Sequence, residues 1–127
     1  MTMKKSHSEL DELSVGVSIL FDLYGRPDVR QLLLIEGPNV LGWAEWTAIQ
    51  EPTVLELLRH ALQHWADEKL IEESEIKGLC QAIWGAVIQS ALACAADGGK
   101  LTAKASYVDA IQLLIAGLRE RGEARAR

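Results

Sequence analysis

The sequence is short of several things that small proteins use to brace themselves or to act on other molecules. Its 127 residues include 2 cysteines, 3 prolines, 3 histidines and 1 phenylalanine. Two cysteines cannot build the disulfide framework of a small secreted domain. Cys80 and Cys94 also share one helical pattern, where a 14-residue separation at about 1.5 Å per residue sets them roughly 21 Å apart, far beyond the ~7 Å between Cα atoms that a disulfide tolerates. Both are expected to be small buried hydrophobes. No CxxC pair and no Cys/His set has ligand spacing, so neither a metal site nor a cofactor is expected. Basic residues are outnumbered, 13 against 18 acidic ones for a net charge of −5, and their one short cluster is Lys4-Lys5. That balance gives no electrostatic footprint for wrapping nucleic acid. No run reaches the ~18 consecutive apolar residues of a membrane span, and residues 1–11 lack the apolar segment of a secretory signal. The expectation is a cytoplasmic protein that touches neither membrane nor nucleic acid directly.

What is present is helical periodicity. The chain is 49% hydrophobic and 24% charged, the balance of one ordinary globular domain. No stretch alternates strictly with β-branched enrichment, so the predicted fold class is all-α. Ser8 and Asp11 make a capping start, after which Leu10, Leu13, Val17, Leu20, Phe21 and Tyr24 recur at helical spacing until Gly25. Pro27 suits a first turn, and residues 28–35 supply a short helix with a break expected at Gly37-Pro38, because proline disfavours helical geometry in the residue before it. Residues 38–50 read as a third short helix. Pro52 opens an amphipathic one, with Val54, Leu55, Leu58, Ala61, Leu62 and Trp65 on its apolar stripe. Ser74 is the expected cap of a long helix to about Ala96, closed by Asp97-Gly98-Gly99, and a last helix runs from about Thr102 to Arg119. The domain is thus expected over residues 10–119, with a flexible N-terminus at 1–9 and a frayed tail at 120–127.

Residues 78–96 are apolar nearly all round, and one helix hairpin offers too little surrounding protein to cover both sides. A second copy is the economical cover. The predicted interface residues are Trp84, Val87, Ala91, Cys94, Val108, Ile111 and Ile115.

Groups that carry chemistry are sparse. His60 and His64 stand at i and i+4, with Glu56 and Glu68 extending the stripe, yet a zinc-protease HExxH would need Glu where the chain has Ala61. The favoured reading is a solvated polar face. Ser14, Ser18, Ser90 and Ser106 lie inside helical runs without a glycine elbow, and no glycine cluster builds a phosphate loop. No catalytic residue is expected, and the chain is read as a non-enzyme. The compositional oddity is 4 tryptophans against 1 phenylalanine. Trp43, Trp46, Trp65 and Trp84 all fall on apolar stripes, either as core residues or as walls of an incompletely filled space where a flat apolar molecule stacks.

Residues 32–46, LLLIEGPNVLGWAEW, resemble the C-terminal regulatory domain of TetR-family transcriptional repressors, in the subgroup with an LLL-acidic-GP-x-VLGWxxW signature. The surroundings are similar too: PDVR at 27–30, LLRHAL at 57–62, WGAVIQSALACAA at 84–96 and LLIAGLR at 113–119. The resemblance covers roughly residues 10–119. It implies an all-α domain that dimerises through a four-helix bundle of its last two long helices, with a small-molecule pocket among the earlier ones. Carried over, Gly37-Pro38 would be the break, Trp43 and Trp46 the aromatics beside the pocket, and Gly85, Ala86, Ser90, Ala91 and Ala93 the small residues of close helix packing. Ile88-Gln89 departs from the Asn-Glu pair that relatives often carry. Such repressors also place a helix-turn-helix reader of about fifty residues ahead of this domain, whereas here only nine residues precede Leu10. The chain therefore reads as a sensing and dimerising half that should not bind operator DNA by itself.

Two functions compete at this point. The first is a homodimeric module that binds a small hydrophobic or planar ligand, sequestering an effector or pairing with full-length relatives. Its pocket would be walled by Phe21, Trp43, Trp46, Leu58 and Leu62, with Glu36 or Gln89 as the polar contact. The alternative is a purely structural or partner-binding helical homodimer whose core is filled.

Overall fold

The computed structural model describes residues 12–126, which are helical almost throughout and include no strand. Helix α1 (Glu12–Gly25) buries Leu13, Val17, Leu20, Phe21 and Tyr24, the stripe its spacing predicted apart from Leu10, which with the expected Ser8 and Asp11 cap lies outside the described residues. A covering segment of short pieces follows. One turn of helix, α2 (Pro27–Val29), widens into a π-helical stretch (Arg30–Glu36), which leads into α3 (Gly37–Leu41) and α4 (Trp43–Gln50). A second π-helical stretch (Glu51–Leu55) joins α4 to α5 (Glu56–Asp67). A 3₁₀ turn (Glu73–Glu75) precedes the long helices α6 (Ile76–Ala96) and α7 (Leu101–Ala126). Helix α6 is central: it packs against α1, α5 and α7. Burying side chains such as Leu58, Leu62 and Val87 between these layers contributes about 1.5–3 kcal/mol each.

The break expected at Gly37-Pro38 lies elsewhere. The chain stays helical through both residues, and the Gly37 amide donates to the Leu32 carbonyl, five residues back. That wide turn is how the proline is accommodated, since its ring would otherwise meet the carbonyl four residues earlier and it has no N–H to give. The break falls instead at Gly42, whose φ of 85° and ψ of 157° suit glycine and little else. Pro52 likewise does not open a helix. It sits at the start of the second π stretch, within a helical path that continues from α4 into α5.

The start of α6 and the end of α7 also differ from expectation. Ser74 does not cap α6: it lies inside the 3₁₀ turn, which is capped by Glu72 in a reciprocal capping box with Glu75, the Glu72 amide donating to Glu75 Oε1 at 2.9 Å, and α6 follows from Glu75. Helix α7 runs past Arg119 to Ala126, so residues 120–126 are helical rather than frayed. They are held in place. Gly122 is buried against the backbone of Leu70, and a Cβ there would stand 2.9 Å from Leu70 Cα and nearer still to its carbonyl oxygen. Arg121 pairs with Glu75 and Arg125 with Glu72. Exposed ion pairs contribute little alone, so the glycine seat carries the docking. Gly122→Ala is expected to unseat the last two turns of α7 and cost about 2 kcal/mol, read as faster amide exchange at residues 115–126 and a lower denaturation midpoint. The flexible N-terminus expected at 1–9 lies outside the described residues.

The Asp97-Gly98-Gly99 stop occurs as expected, with positive φ at both glycines and the Gly99 amide donating to the Cys94 carbonyl at 2.9 Å. Cys80 and Cys94 are free and buried, and desolvation pushes the Cys80 thiol pKa up.

Candidate functional site: an aromatic and polar cluster under the covering segment

The inner face of α4 meets α1 and α6 in a cluster of rings and amides. Trp46 is 2% exposed, and its indole lies between two others. The Trp84 ring is nearly parallel to it, with centroids 5.7 Å apart and planes inclined by 12°, and the Trp43 ring is tilted by 38° at 4.8 Å. A hydrogen-bond chain runs beside this stack. Trp84 Nε1 donates to the Tyr24 hydroxyl at 3.1 Å, and that hydroxyl donates to Gln50 Oε1 at 3.0 Å. Burial raises the Tyr24 pKa, and the Trp84 N–H opposes part of the rise by stabilising the phenolate.

The chain of donors stops short of satisfying the cluster. Among the described residues, Trp46 Nε1, Thr47 Oγ1 and Gln50 Nε2 are buried without a hydrogen-bond partner. All three lie within one turn of α4. An orphaned buried donor or hydroxyl costs about 1–3 kcal/mol, so three of them within five residues of α4 are a concentrated polar cost in an otherwise apolar core.

The signature at residues 32–46 acquires a physical reason here. Gly37 abuts the Trp46 indole, and a Cβ on it would stand 2.8 Å from Trp46 Cδ1 and 3.0 Å from the Leu32 carbonyl oxygen. Gly42 supplies the positive φ that re-aims the chain before Trp43. The two glycines together seat the second tryptophan.

The structure separates the residues expected to form a pocket. Trp43 and Trp46 are brought together, but Trp43 is 63% exposed. Phe21, Leu58 and Leu62 are buried in the packed core with Trp46. Glu36 and Gln89 are exposed on the outside, Glu36 accepting from the Gln31 amide at 3.1 Å, so neither faces the cluster. The polar groups that do join it, Tyr24 and Gln50, were missed. The usable signal was a glutamine four residues after Trp46, on the same face of the helix.

The residues expected at a dimer interface lie on the inward side. Trp84, Val87, Ala91, Cys94, Ile111 and Ile115 are buried inside this chain, and Val108 is half-buried against the same core. All-round apolarity does not reveal which face of α6 turns inward. The outward stripe is Gly78, Ala82, Gly85 and Gln89 on α6, and Ala110, Leu113, Leu114 and Gly117 on α7, all exposed. Leu113 and Leu114 are 72% and 68% exposed.

Two of the surface clefts among the described residues are well formed, and neither is lined by Trp43 or Trp46. One of about 380 Å³ has Phe21, Ala91 and Cys94 in its floor and Arg26, Arg30 and Lys104 around it. The other, about 550 Å³, lies between Leu55, Arg59, Ile76 and Cys80. Residues 73–96 are long and apolar enough to cross a membrane by length and composition. In this fold their inward side is occupied by α1 and α5.

No curated protein and no solved structure is matched by this chain. Residues 11–118 match a family described as the tetracyclin repressor-like C-terminal domain. Since that span takes in all but the two ends, the chain belongs to the tetracyclin repressor-like C-terminal domain family.

Proposed function

We propose that this domain senses a small molecule for a cytoplasmic transcriptional regulator and dimerises through the outer faces of α6 and α7. The observation that carries the sensing role is the set of three buried, unpartnered polar atoms that α4 holds at Trp46, Thr47 and Gln50, next to the stacking of Trp46 on Trp84. Trp46 Nε1 and Gln50 Nε2 are donors, so the guest they suit is flat, apolar and equipped with a hydrogen-bond acceptor. The segment over them is suited to moving: it is bounded by two π-helical stretches, interrupted at Gly42, and exposes Leu32, Val40, Trp43 and Ile49. Such stretches are frequent at functional sites.

Thr47→Val tests the site with little change of shape. Removing a buried hydroxyl that has no partner should stabilise the ligand-free protein by about 1 kcal/mol in denaturant titrations. The same change should weaken any guest that uses the hydroxyl. Intrinsic tryptophan fluorescence, titrated with naphthoate, coumarin and flavone, is expected to show saturable quenching in the wild type and weaker quenching in Thr47→Val. Quenching by none of them, with Thr47→Val merely stabilising, favours the filled-core dimer. Packed Phe21, Leu58 and Leu62 are the observation on that side.

Dimerisation is supported by the outward stripes, whose glycines and alanines let helices approach closely while Leu113 and Leu114 supply apolar area. Sedimentation at micromolar concentration should report about twice the 14.0 kDa chain mass. Leu113→Glu should return the monomer with its helix content intact.

A further inference from the structure

We infer that Glu12, His60 and His64 form a binding site for a divalent transition-metal ion of the zinc, copper or nickel class, pinning the start of α1 to α5. The two histidines share one face of α5, a turn apart, with ring centroids 4.7 Å from each other. Glu12, on the first turn of α1, reaches both: its Oε2 is 3.1 Å from His60 Nδ1 and its Oε1 is 2.5 Å from His64 Nδ1. One ligand atom from each of the three residues lies within 4.8 Å of the others.

The residue types decide the class of ion. Two imidazole nitrogens and one carboxylate suit borderline divalent metals, whereas magnesium and calcium prefer oxygen ligands alone. Metal–ligand bonds of about 2.0–2.2 Å draw the ligand atoms closer than they stand now, and all three side chains are about half exposed, free to make that small adjustment. A ring nitrogen that donates to Glu12 cannot bind metal at the same time. Binding at Nδ1 therefore moves the proton of a neutral ring to its Nε2 and releases one to solvent only from a doubly protonated ring, while Glu12 exchanges a bridging hydrogen-bond role for a ligand role. Three protein ligands leave further coordination positions to water. The third ligand was invisible in the sequence, since it lies 48 positions before His60.

The full chain, stripped with a chelator, is titrated calorimetrically with Zn²⁺, and its thermal unfolding is followed with and without the ion. The expected result is one ion per chain with micromolar affinity and a rise in Tm, because an ion that binds only the folded state stabilises it. Mg²⁺ should produce neither effect. His60→Gln, His64→Gln and Glu12→Gln, all at exposed positions, should leave metal-free Tm and helix content near those of the wild type. Each histidine variant should abolish the Tm rise, and Glu12→Gln should weaken binding about tenfold or more. Absence of stoichiometric binding overturns the site. So does binding that survives His60→Gln, which would place the ion elsewhere, or binding indifferent to Glu12→Gln, which would reduce the site to a bare histidine pair.

Discussion

Ala91→Glu should unfold the protein rather than divide a dimer. Ala91 is 2% exposed on the face of α6 that packs against the rest of the core, below a cleft whose cations Arg26 and Lys104 already pair with Asp28 and Asp22, so a carboxylate there loses most of its water and has to compete for a partner. An unpaired buried charge costs about 3–5 kcal/mol, a large share of a small domain's stability. Circular dichroism with denaturant titration should show lost or non-cooperative unfolding. Leu113→Glu places the same charge on the outer face and should leave the unfolding transition of the monomer in place. If Ala91→Glu instead gives a well-folded monomer, the rotation of α6 described above is reversed and the inward and outward stripes exchange roles.

Trp46→Ala should cost nearly as much, about 3–5 kcal/mol, because the indole is enclosed by Trp43, Trp84 and the backbone at Gly37. The loss belongs to the lower part of that range, since the substitution also removes an unpartnered N–H. The cavity left is flat and lined by aromatic surface, so added indole should bind there and return part of the lost stability. The denaturation midpoint with and without millimolar indole reads this directly. A midpoint close to that of the wild type would mean that Trp46 is loosely held and that the space beside it is already open.

These two residues show what the sequence could and could not reveal. The spacing of Leu13, Val17, Leu20, Phe21 and Tyr24 located α1 and its buried face because one amphipathic stripe has one reading. Helix α6 gave no such reading. Apolar on nearly every side, it marked itself as central but left its rotation open, and the residues expected at an interface fall on its inward stripe. Prolines misled for a different reason: Pro38 and Pro52 are absorbed by widened π turns, which no local propensity announces, while the real interruption needed only the positive φ of Gly42. The tryptophans were recognised as unusual. Their partners were not, because Tyr24, Gln50 and Trp84 come together across 60 positions of chain. Gly122 looked like part of a fraying tail, and only its contact with the Leu70 backbone shows it to be a seat.

The sensing role is tested most directly by a crystal structure of the purified protein after soaking with the planar compound that quenches most strongly. The expected result is flat, multi-atom density beside the Trp46 and Trp84 rings, with an acceptor within about 3.2 Å of Trp46 Nε1 or Gln50 Nε2. A single rounded peak hydrogen-bonded to those atoms would be a structural water. Such a peak, or none, with the rings packed as they are here, would contradict the role.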